Sequence, residues 1–429
     1  MLEKNNKTKI SRSSSYLLYL IIILMFVEIL DTYTTNFPNV IPSEIINTFL
    51  DPGSGVAESI FNFCVAIASL GMYFVFFNQL IADKFGRKLL LGITVLGMGI
   101  ASLLIMFSSD IIQYTIFLFL LYLFFSSDMW VIYINEESPK DKRARYTNLV
   151  LIGGVTGSIL LPIFRSIFIT ETSSNWRLMP LFAVFLGIPL SLIIFLSLKE
   201  TSIFEEFKER DKILESKIER QLLKQNLKKI FVSNRRTEVI AILFITLLVG
   251  FNYVFVSVGE NYISNSPNLN KDDINLIVLI MSISVIFGYL FTGFFADKYG
   301  RKPLFYIYTF LIPISIFIVI FGTRLTEGAI IPVSIGAALL NISYWGLGVV
   351  IRIVILEVVP TEVRGTAGGL KSFVSAVGIT LGLVFSGTVT LFFNQESAFI
   401  IICLLVLINL PLIYLFIKET KGIDLSEIK

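Results

Sequence analysis

The 429-residue chain is 55% hydrophobic and only 16% charged, with a mean hydropathy of +0.79. Roughly a quarter of the residues of a soluble domain are charged, so this composition excludes an ordinary soluble protein and indicates a lipid environment. The net charge of +3 excludes the broad basic field that nucleic-acid binding requires. The chain has no histidine, which leaves carboxylates as the groups for proton coupling.

Long apolar windows alternate with short charged clusters along the chain. A helix needs about 20 apolar residues to cross the hydrocarbon core of a bilayer. The first window is too long for the apolar core of a signal peptide and carries two carboxylates, so we interpret it as a retained span. We predict an all-α membrane protein with twelve transmembrane helices, centred near residues 27, 67, 98, 122, 157, 187, 247, 284, 313, 341, 380 and 407.

The distribution of Lys and Arg predicts the orientation. One set of alternate loops, together with both chain ends, holds 30 of the 35 basic residues, the other set holds 3, and two lie within spans. Because basic loops remain in the cytoplasm, we expect both termini and the long central loop to be cytoplasmic, in a protein of the cell membrane.

A polar stretch with amphipathic spacing separates six apolar windows from six. A separate regulatory domain in this stretch is the alternative interpretation. We predict a cytoplasmic tail at 1–14, a six-helix bundle at 15–199, a central loop with amphipathic helices at 200–236, a second six-helix bundle at 237–417 and a cytoplasmic tail at 418–429.

Three short motifs occur twice, in the same order and at nearly the same offset. They are Q-L-I-A-D-K-F-G-R-K at 79–88 and G-F-F-A-D-K-Y-G-R-K at 293–302, E-x-x-P-x-x-x-R from Glu136 and from Glu357, and K-E-T at 199–201 and 418–420. Such repetition indicates duplication of a six-helix unit. The predicted fold is therefore two pseudo-symmetric bundles with the same orientation.

These motifs resemble those of the major facilitator superfamily over essentially the whole chain, and within it the sugar porter and metabolite:proton symporter branch. The family pattern G-x-L-A-D-x-x-G-R-K matches the second copy apart from Phe295, and the first copy departs from it at Gln79. Residues 133–143 fit Y-x-x-E-x-x-P-x-x-x-R, and the tail resembles P-E-T-K-G-x-x-L-E-E-I with Lys418 in place of proline. The resemblance implies secondary transport by alternating access.

Two departures separate the chain from the sugar porters. The seventh span lacks the glutamine pair with which sugar porters bind hydroxyl groups, and the fourth span lacks the arginine that usually faces the proton-sensing carboxylate of the first span. The substrate class therefore stays open between a sugar and an organic anion.

The charged residues of the repeated motifs are predicted to form two equivalent cytoplasmic gates. Carboxylates and guanidinium groups at helix ends form charge-assisted bonds, and glycine permits a tight turn. We expect these groups to hold the cytoplasmic side shut in the outward-facing state; ordinary topological charge is the alternative. The predicted members are Asp83, Gly86, Arg87, Glu136 and Arg143 in the first gate, and Asp297, Gly300, Arg301, Glu357 and Arg364 in the second.

Three charged residues inside spans are candidates for proton coupling, because each such charge costs about 2.5–3.5 kcal/mol on insertion scales. Asp31 matches the first-span carboxylate of proton-coupled porters, and Glu28 lies one helical turn earlier on nearly the same face. Arg165 is the predicted counter-ion of Asp31, released when Asp31 is protonated. Alternatively, Asp31 is a helix-end residue that faces external water.

Polar and aromatic residues within the spans are predicted to line a central cavity, or else to lie in interfacial aromatic belts. Asp128 and Arg352 occupy equivalent helices and either pair with each other or contact substrate; an arginine in the cavity suits an anionic substrate. The predicted cavity residues are Tyr33, Asn62, Asp128, Trp130, Asn252, Tyr253, Asn341, Tyr344, Trp345 and Arg352.

The sequence contains no phosphate-binding loop, metal-ligand cluster or nucleophile triad, so we expect no enzyme, no ATP-driven pump, no cofactor and no metal. We predict a monomeric secondary transporter in the lipid bilayer that couples protons to symport of a small polar metabolite, without nucleic-acid partners. The alternatives are a proton-coupled exporter of amphiphilic compounds and, from a different class, a transporter-like nutrient sensor.

Overall fold

The apolar windows fold as helices because a chain in lipid must satisfy its backbone hydrogen bonds internally. A computed structural model describes residues 12–75, 85–125, 129–139, 142–202, 204–205, 225–232, 234–360 and 363–422. Within these residues, eleven helices are long and apolar enough to cross a membrane. The protein is thus an all-α membrane protein, which confirms the predicted class.

The described residues of the first half form eight helices. They are α1 (Ser14–Asn36), α2 (Pro42–Phe49), α3 (Ala57–Ser69), α4 (Arg87–Met106), α5 (Ile111–Leu123), α6 (Met129–Glu137), α7 (Arg143–Phe168) and α8 (Leu181–Ser197). Short 3-10 segments extend α1 to Val40 and α3 to Phe74.

The described residues of the second half also form eight helices. They are α9 (Arg236–Phe251), α10 (Tyr253–Ser264), α11 (Lys271–Tyr299), α12 (Arg301–Thr323), α13 (Ile330–Val358), α14 (Arg364–Phe392), α15 (Gln395–Leu405) and α16 (Asn409–Phe416). Helices α9 and α10 make up one span, and α15 and α16 make up another.

The fourth predicted span accounts for the difference between twelve predicted spans and eleven. Its apolar window is divided between α5, which has 13 residues, and α6, which has 9. Residues 126–128, between the two helices, lie outside the described residues. With 13 and 9 residues, neither described helix alone is long enough to cross a membrane.

Glycines bring equivalent helix pairs of the two halves into close contact. A Cβ on Gly157 of α7 would lie 2.6 Å from the backbone oxygen of Ile29 in α1. In the second half, a Cβ on Gly382 of α14 would lie 2.6 Å from the backbone oxygen of Phe251 in α9. Only glycine permits this backbone-to-backbone approach, and its recurrence agrees with a duplicated unit.

Candidate functional site

The repeated motif of the second half forms a compact ion-pair cluster where α11 meets α12. Gly300 joins the two helices at φ +100° and ψ 170°, a backbone region that essentially only glycine adopts. Arg301 donates to both carboxylate oxygens of Glu357, at 2.8 and 3.3 Å. Asp297 lies 3.4 Å from Arg301, but its side chain is 82% exposed. Glu357 is therefore the main partner of Arg301.

Glu419, which is not among the predicted site residues, completes this cluster. Its carboxylate accepts hydrogen bonds from the backbone N–H groups of Arg301 at 2.9 Å and Lys302 at 3.0 Å. These two groups form the N-terminus of α12, where negative charge is favoured. A Cβ on Gly300 would collide with the Glu419 carboxylate, so the glycine gives the carboxylate access to the helix end.

Two further backbone donors shift the acidity of Glu419. The N–H groups of Thr420 and Lys421 each donate to the carboxylate at 2.9 Å. Burial by itself raises the pKa of Glu419, but the backbone hydrogen bonds outweigh it and hold the pKa below its ordinary value of 4.5. The hydroxyl of Thr420 donates to Glu357 at 2.6 Å, which joins the cap of α12 to the ion pair.

The first half contains the same arrangement. Gly86 has φ +107°, and the Nε of Arg87 donates to Glu136 at 3.3 Å. Glu200 accepts from the backbone N–H groups of Arg87 at 3.0 Å and Lys88 at 3.1 Å. Glu200 and Glu419 occupy the same position of the repeated K-E-T motif, and that repeat was the sequence signal for their role.

Three predicted gate residues are not placed in these clusters. Asp83 and the side chain of Arg143 lie outside the described residues. Nε and Nη2 of Arg364 are buried and have no hydrogen-bond partner among the described residues. In the part of the chain that the structure describes, the two clusters thus share an arginine, two glutamates and a glycine, and the second cluster also contains Asp297.

Arg12 adds two ion pairs to the cluster of the first half. Arg12 donates to Glu137 at 2.9 Å, to the backbone oxygen of Glu200 at 2.7 Å and to Glu205 at 3.0 Å. The side chain of Glu137 is 1% exposed. The repeats did not indicate this pair, because Val358 occupies the position equivalent to Glu137 in the second copy.

Arg165 lies at the other end of the spans and connects the two halves. It is 1% exposed, and its Nη2 donates to Glu260 of α10 at 2.5 Å. Its other bonds go to the backbone oxygen of Val40 at 2.7 Å and to the side-chain oxygen of Asn275 in α11. The predicted pairing of Arg165 with Asp31 is therefore wrong for this conformation, because a carboxylate of the second half occupies the guanidinium.

Glu260 is held by both halves. It accepts from the backbone N–H of Ser43 at 3.0 Å, from the Ser43 hydroxyl at 2.7 Å and from the Ser264 hydroxyl at 2.9 Å, besides Arg165. These hydrogen bonds satisfy a carboxylate that is 1% exposed. We call Arg165, Glu260, Ser43 and Asn275 the opposite-face lock, and we call the face that carries the repeated motifs the motif face.

A second contact between the halves runs along α3 and α14. The hydroxyl of Ser59 donates to the backbone oxygen of Gly387 at 2.6 Å, and Asn62 donates to Ser386 at 3.2 Å. Asn62 is fully buried in this contact. In this conformation Asn62 thus lies in the contact between the halves, and its place in the central cavity stays a prediction.

Several other predicted cavity residues are buried in the protein core. The hydroxyl of Tyr33 donates to the backbone oxygen of Met179 at 2.8 Å, and its ring packs against Phe164 and Phe182. Tyr33 is therefore fully enclosed in this conformation, and its place in the cavity stays a prediction. Trp130 is likewise buried.

Two asparagines predicted to line the cavity donate hydrogen bonds to the backbone of the preceding helical turn. The amide of Asn252 donates to the backbone oxygen of Leu248 at 2.9 Å, and that of Asn341 donates to Ala337 at 3.0 Å. Both side chains are buried. A polar side chain in an apolar span readily forms a hydrogen bond to a backbone carbonyl of the preceding helical turn. The sequence alone does not distinguish such a residue from one that contacts a cavity.

The remaining aromatic candidates form one connected cluster. Tyr253 and Tyr344 have ring centroids 6.2 Å apart, Tyr344 and Trp345 are 5.4 Å apart, and Trp345 and Tyr289 are 6.2 Å apart. Asn39, from the first half, donates to the Tyr253 hydroxyl at 3.0 Å. Tyr289 was missed in the sequence because it lies within an apolar aromatic run of α11.

The two carboxylates predicted for proton coupling lie on α1. Asp31 is buried, and Glu28 is partly buried. A Cβ on Gly154 of α7 would lie 3.0 Å from the carboxylate of Glu28. The glycine at position 154 therefore leaves room for this carboxylate. Arg352 is exposed on α13, and Asp128 lies outside the described residues.

No cluster of three or more potential metal ligands occurs within the described residues.

The sequence was compared with those of known proteins. It is 24% identical over 138 residues to the probable metabolite transport protein CsbC of Bacillus subtilis (32% of this chain, 29% of that protein). It is 25% identical over 276 residues to the glycine betaine/proline/ectoine/pipecolic acid transporter OusA of Dickeya dadantii (59% and 53%). The chain thus matches about half or less of the length of these curated relatives.

Solved structures share the fold. A crystal structure of a D-xylose-proton symporter superposes with a TM-score of 0.77 at 18% identity, covering 95% of this chain and all of that one. The inward-open xylose transporter XylE of E. coli superposes with a TM-score of 0.70 at 18% identity, covering 96% and 98%. The family model described as Major Facilitator Superfamily matches twice, over residues 21–258 and 240–427. The chain therefore belongs to the major facilitator superfamily, a family of secondary transporters and not of enzymes.

Proposed function

We propose that this protein is a monomeric, proton-coupled symporter that moves a small polar metabolite, a sugar or an organic anion, across the cell membrane by alternating access. In this proposal the bundles at 15–199 and 237–417 move against each other. The motif face, the central loop at 200–236 and the tails at 1–14 and 418–429 are cytoplasmic. The similar proteins include a D-xylose-proton symporter and a glycine betaine/proline/ectoine/pipecolic acid transporter, and their solutes support a small polar solute here.

The single observation that supports alternating access best is the difference between the two faces. At the opposite face, Arg165 of the first half is paired with Glu260 of the second half at 2.5 Å. At the motif face, Arg87 pairs with Glu136 and Arg301 with Glu357, each within its own half. Among the described residues, one face is therefore held shut by a charge pair between the halves, while the arginine–glutamate pairs of the other face join residues of the same half.

In the proposed cycle, movement of the halves would open the opposite face and close the motif face. Opening the opposite face separates Arg165 from Glu260 and returns both charges to water, which lowers the cost of breaking the pair. The motif clusters would then meet across the interface and hold the cytoplasmic side shut. In this cycle Arg165 is a lock residue, and Asp31, with Glu28 as the second candidate, carries the coupling proton.

The test is transport in reconstituted vesicles with an imposed pH gradient, acidic outside, against a panel of sugars and carboxylates. Asp31→Asn should abolish accumulation against a concentration gradient while preserving solute exchange at equal concentrations on both sides. Asp272→Asn, at an exposed aspartate in the first turn of α11, is the matched control. Accumulation that is unchanged in Asp31→Asn would refute the coupling role of Asp31.

A further inference from the structure

Three lysines and two tyrosines lie together at the edge of the motif face in the second half. The ammonium group of Lys421 donates to the backbone oxygen of Lys298 at 2.8 Å, and that of Lys302 donates to the backbone oxygen of Tyr414 at 3.3 Å. Glu419 connects the two contacts, because it accepts hydrogen bonds from the backbone N–H groups of both Lys302 and Lys421. We call this set the lysine rim: Lys298, Lys302 and Lys421, with Tyr299 and Tyr414.

The carboxylates around the lysine rim are engaged with other groups. Glu357 and Asp297 pair with Arg301, and Glu419 receives four backbone hydrogen bonds. In the part of the chain that the structure describes, no salt bridge joins a carboxylate to a lysine of the rim. Because an ammonium group has three N–H donors, the rim keeps both its positive charge and donors for a bound anion.

The rim lies at the depth of the lipid head groups. Helix α11 has 29 residues and is about 43 Å long, whereas the hydrocarbon core is about 30 Å thick, so its last turn with Lys298 extends beyond the core. Phe294 and Tyr414 are 63% and 73% exposed near the ends of their spans, so their rings face lipid. The Lys298 ammonium lies 5.8 Å from the Phe294 ring and 5.1 Å from the Tyr299 ring, and the Lys302 ammonium lies 6.0 Å from the Tyr414 ring. The positive charges are therefore placed beside lipid-facing rings.

The first half lacks this surface at the equivalent positions. Three members of the rim are replaced there by residues without the phenol hydroxyl or the ammonium group: Phe85 for Tyr299, Phe195 for Tyr414 and Ser202 for Lys421. A Cβ on Gly92 would collide with the ring of Phe195, so this ring packs onto its own half, whereas Tyr414 is exposed. Basic residues that only fix the orientation of a span are needed in both halves alike, so the difference indicates a separate role.

A lipid phosphate matches the chemistry of the rim. Phosphate oxygens accept charge-assisted hydrogen bonds from ammonium groups and further bonds from phenol hydroxyls, and acyl chains can lie along the exposed rings. Each cationic side chain at this depth favours anionic lipid. A zwitterionic head group such as phosphatidylcholine brings a cation as well, which the engaged carboxylates of the described residues do not compensate. The rim thus favours a head group with net negative charge.

We infer that the lysine rim binds the head group of an anionic phospholipid, with the phosphate on its three lysines and the acyl chains beside Phe294 and Tyr414. The bound lipid connects the ends of α11 and α12 with the segment that follows α16. It thereby stabilises the Arg301–Glu357 pair and the Glu419 cap, which these elements hold together. Lipid binding at the rim is independent of the solute that the protein transports.

Two tryptophan reporters at equivalent exposed positions test the inference. Leu415→Trp is placed beside Tyr414, and Leu196→Trp at the matching position of the first half; the two leucines are 65% and 85% exposed. The full-length protein is reconstituted in phosphatidylcholine vesicles with increasing fractions of brominated phosphatidylglycerol, which quenches nearby tryptophan, and the signal of the parent is subtracted. The binding constant of phosphatidylglycerol relative to phosphatidylcholine should be roughly tenfold or more at position 415 and clearly smaller at position 196, since each cationic group contributes a factor of about five.

Further substitutions in the Leu415→Trp protein connect the lipid preference to the rim. Lys421→Ser introduces the residue of the first half and should lower the preference for phosphatidylglycerol about fivefold. The triple variant Lys298→Gln/Lys302→Gln/Lys421→Ser should abolish it. Lys88→Gln is the matched control, because Lys88 is the first-half equivalent of Lys302, and it should leave the preference at position 415 unchanged. Thermal unfolding in detergent verifies that each variant is folded.

Three results would overturn the assignment. Equal preference at positions 415 and 196, or an unchanged preference in the triple variant, would show that the rim does not select anionic lipid. An equal loss in Lys88→Gln and Lys421→Ser would reduce the effect to the total charge of the motif face. Relief of quenching by millimolar glycerol 3-phosphate in the buffer would identify a site for soluble phosphate instead of lipid. None of these results bears on the proposed transport function, which is measured by solute flux.

Discussion

Removing the carboxylate of Glu260 should open the opposite face. In Glu260→Ala, Arg165 would keep its bonds to Val40 and Asn275 but lose its only ion pair among the described residues. A buried guanidinium without a counter-charge is strongly unfavourable in the closed conformation. Once the face opens, water reaches the arginine and the penalty disappears. The substitution therefore acts on one conformation only.

The expected size of the effect follows from the burial of the pair. The side chain of Arg165 is 1% exposed and that of Glu260 fully enclosed, and breaking such a pair by deleting one partner costs about 3–5 kcal/mol. Since each 1.4 kcal/mol corresponds to a factor of about ten in an equilibrium constant, the closed population should fall relative to the open one by roughly two to three and a half orders of magnitude.

The distance between the halves at this face reports the change. Spin labels at Glu58→Cys and Asn265→Cys suit the measurement, because these side chains bond across the interface at 3.4 Å. Cys64 and Cys403 are first replaced by alanine. Double electron–electron resonance should give a short distance in the parent and a longer, broader distribution in Glu260→Ala.

Two controls decide whether the reasoning holds. Arg324→Gln breaks an ion pair with Glu396 inside the second half and should leave the distance unchanged. The double variant Arg165→Met/Glu260→Leu removes both charges, so it should disturb the closed state less than Glu260→Ala alone. A parent-like distance in Glu260→Ala, or an equal shift in Arg324→Gln, would refute the lock.

Three further outcomes are expected at the motif face. Gly300→Ala should destabilise the protein by about 1–3 kcal/mol, because its backbone conformation is nearly exclusive to glycine and Glu419 occupies the space of the new methyl group. Gly328→Ala should cost less, because the space around Gly328 is open. Thermal unfolding in detergent compares the two variants. Glu357→Gln should slow transport in vesicles more than Asp297→Asn, since Glu357 receives two bonds from α12 while Asp297 is largely exposed; equal rates would contradict this order. The folded pKa of Glu419 lies below 4.5, so its cap on α12 should contribute fully to stability above pH 4.5 and be lost as the pH falls through the lower folded value. Amide exchange at the start of α12 should therefore be much faster in Glu419→Gln than in the parent at neutral pH, and the two rates should become equal only in stronger acid. Equal exchange rates at neutral pH would contradict the cap.

The sequence was sufficient for the fold class and for the repeat. Helices in lipid are specified by local composition, because each span satisfies its own backbone, so apolar windows located eleven of the spans. The duplicated motifs likewise placed Arg87 with Glu136 and Arg301 with Glu357, since an identical spacing in both halves indicates one shared local geometry.

Contacts between the halves were decided by tertiary structure alone. Glu260 and Arg165 are 95 residues apart, belong to no repeat, and lie in spans whose composition resembles that of their neighbours. Tyr33 and Asn341 have the chemistry of cavity residues, yet the rotation of their helices buries them. A sequence specifies which helices form in the bilayer, but the partner of a charge within it depends on which helix faces meet, and only the packed halves determine that.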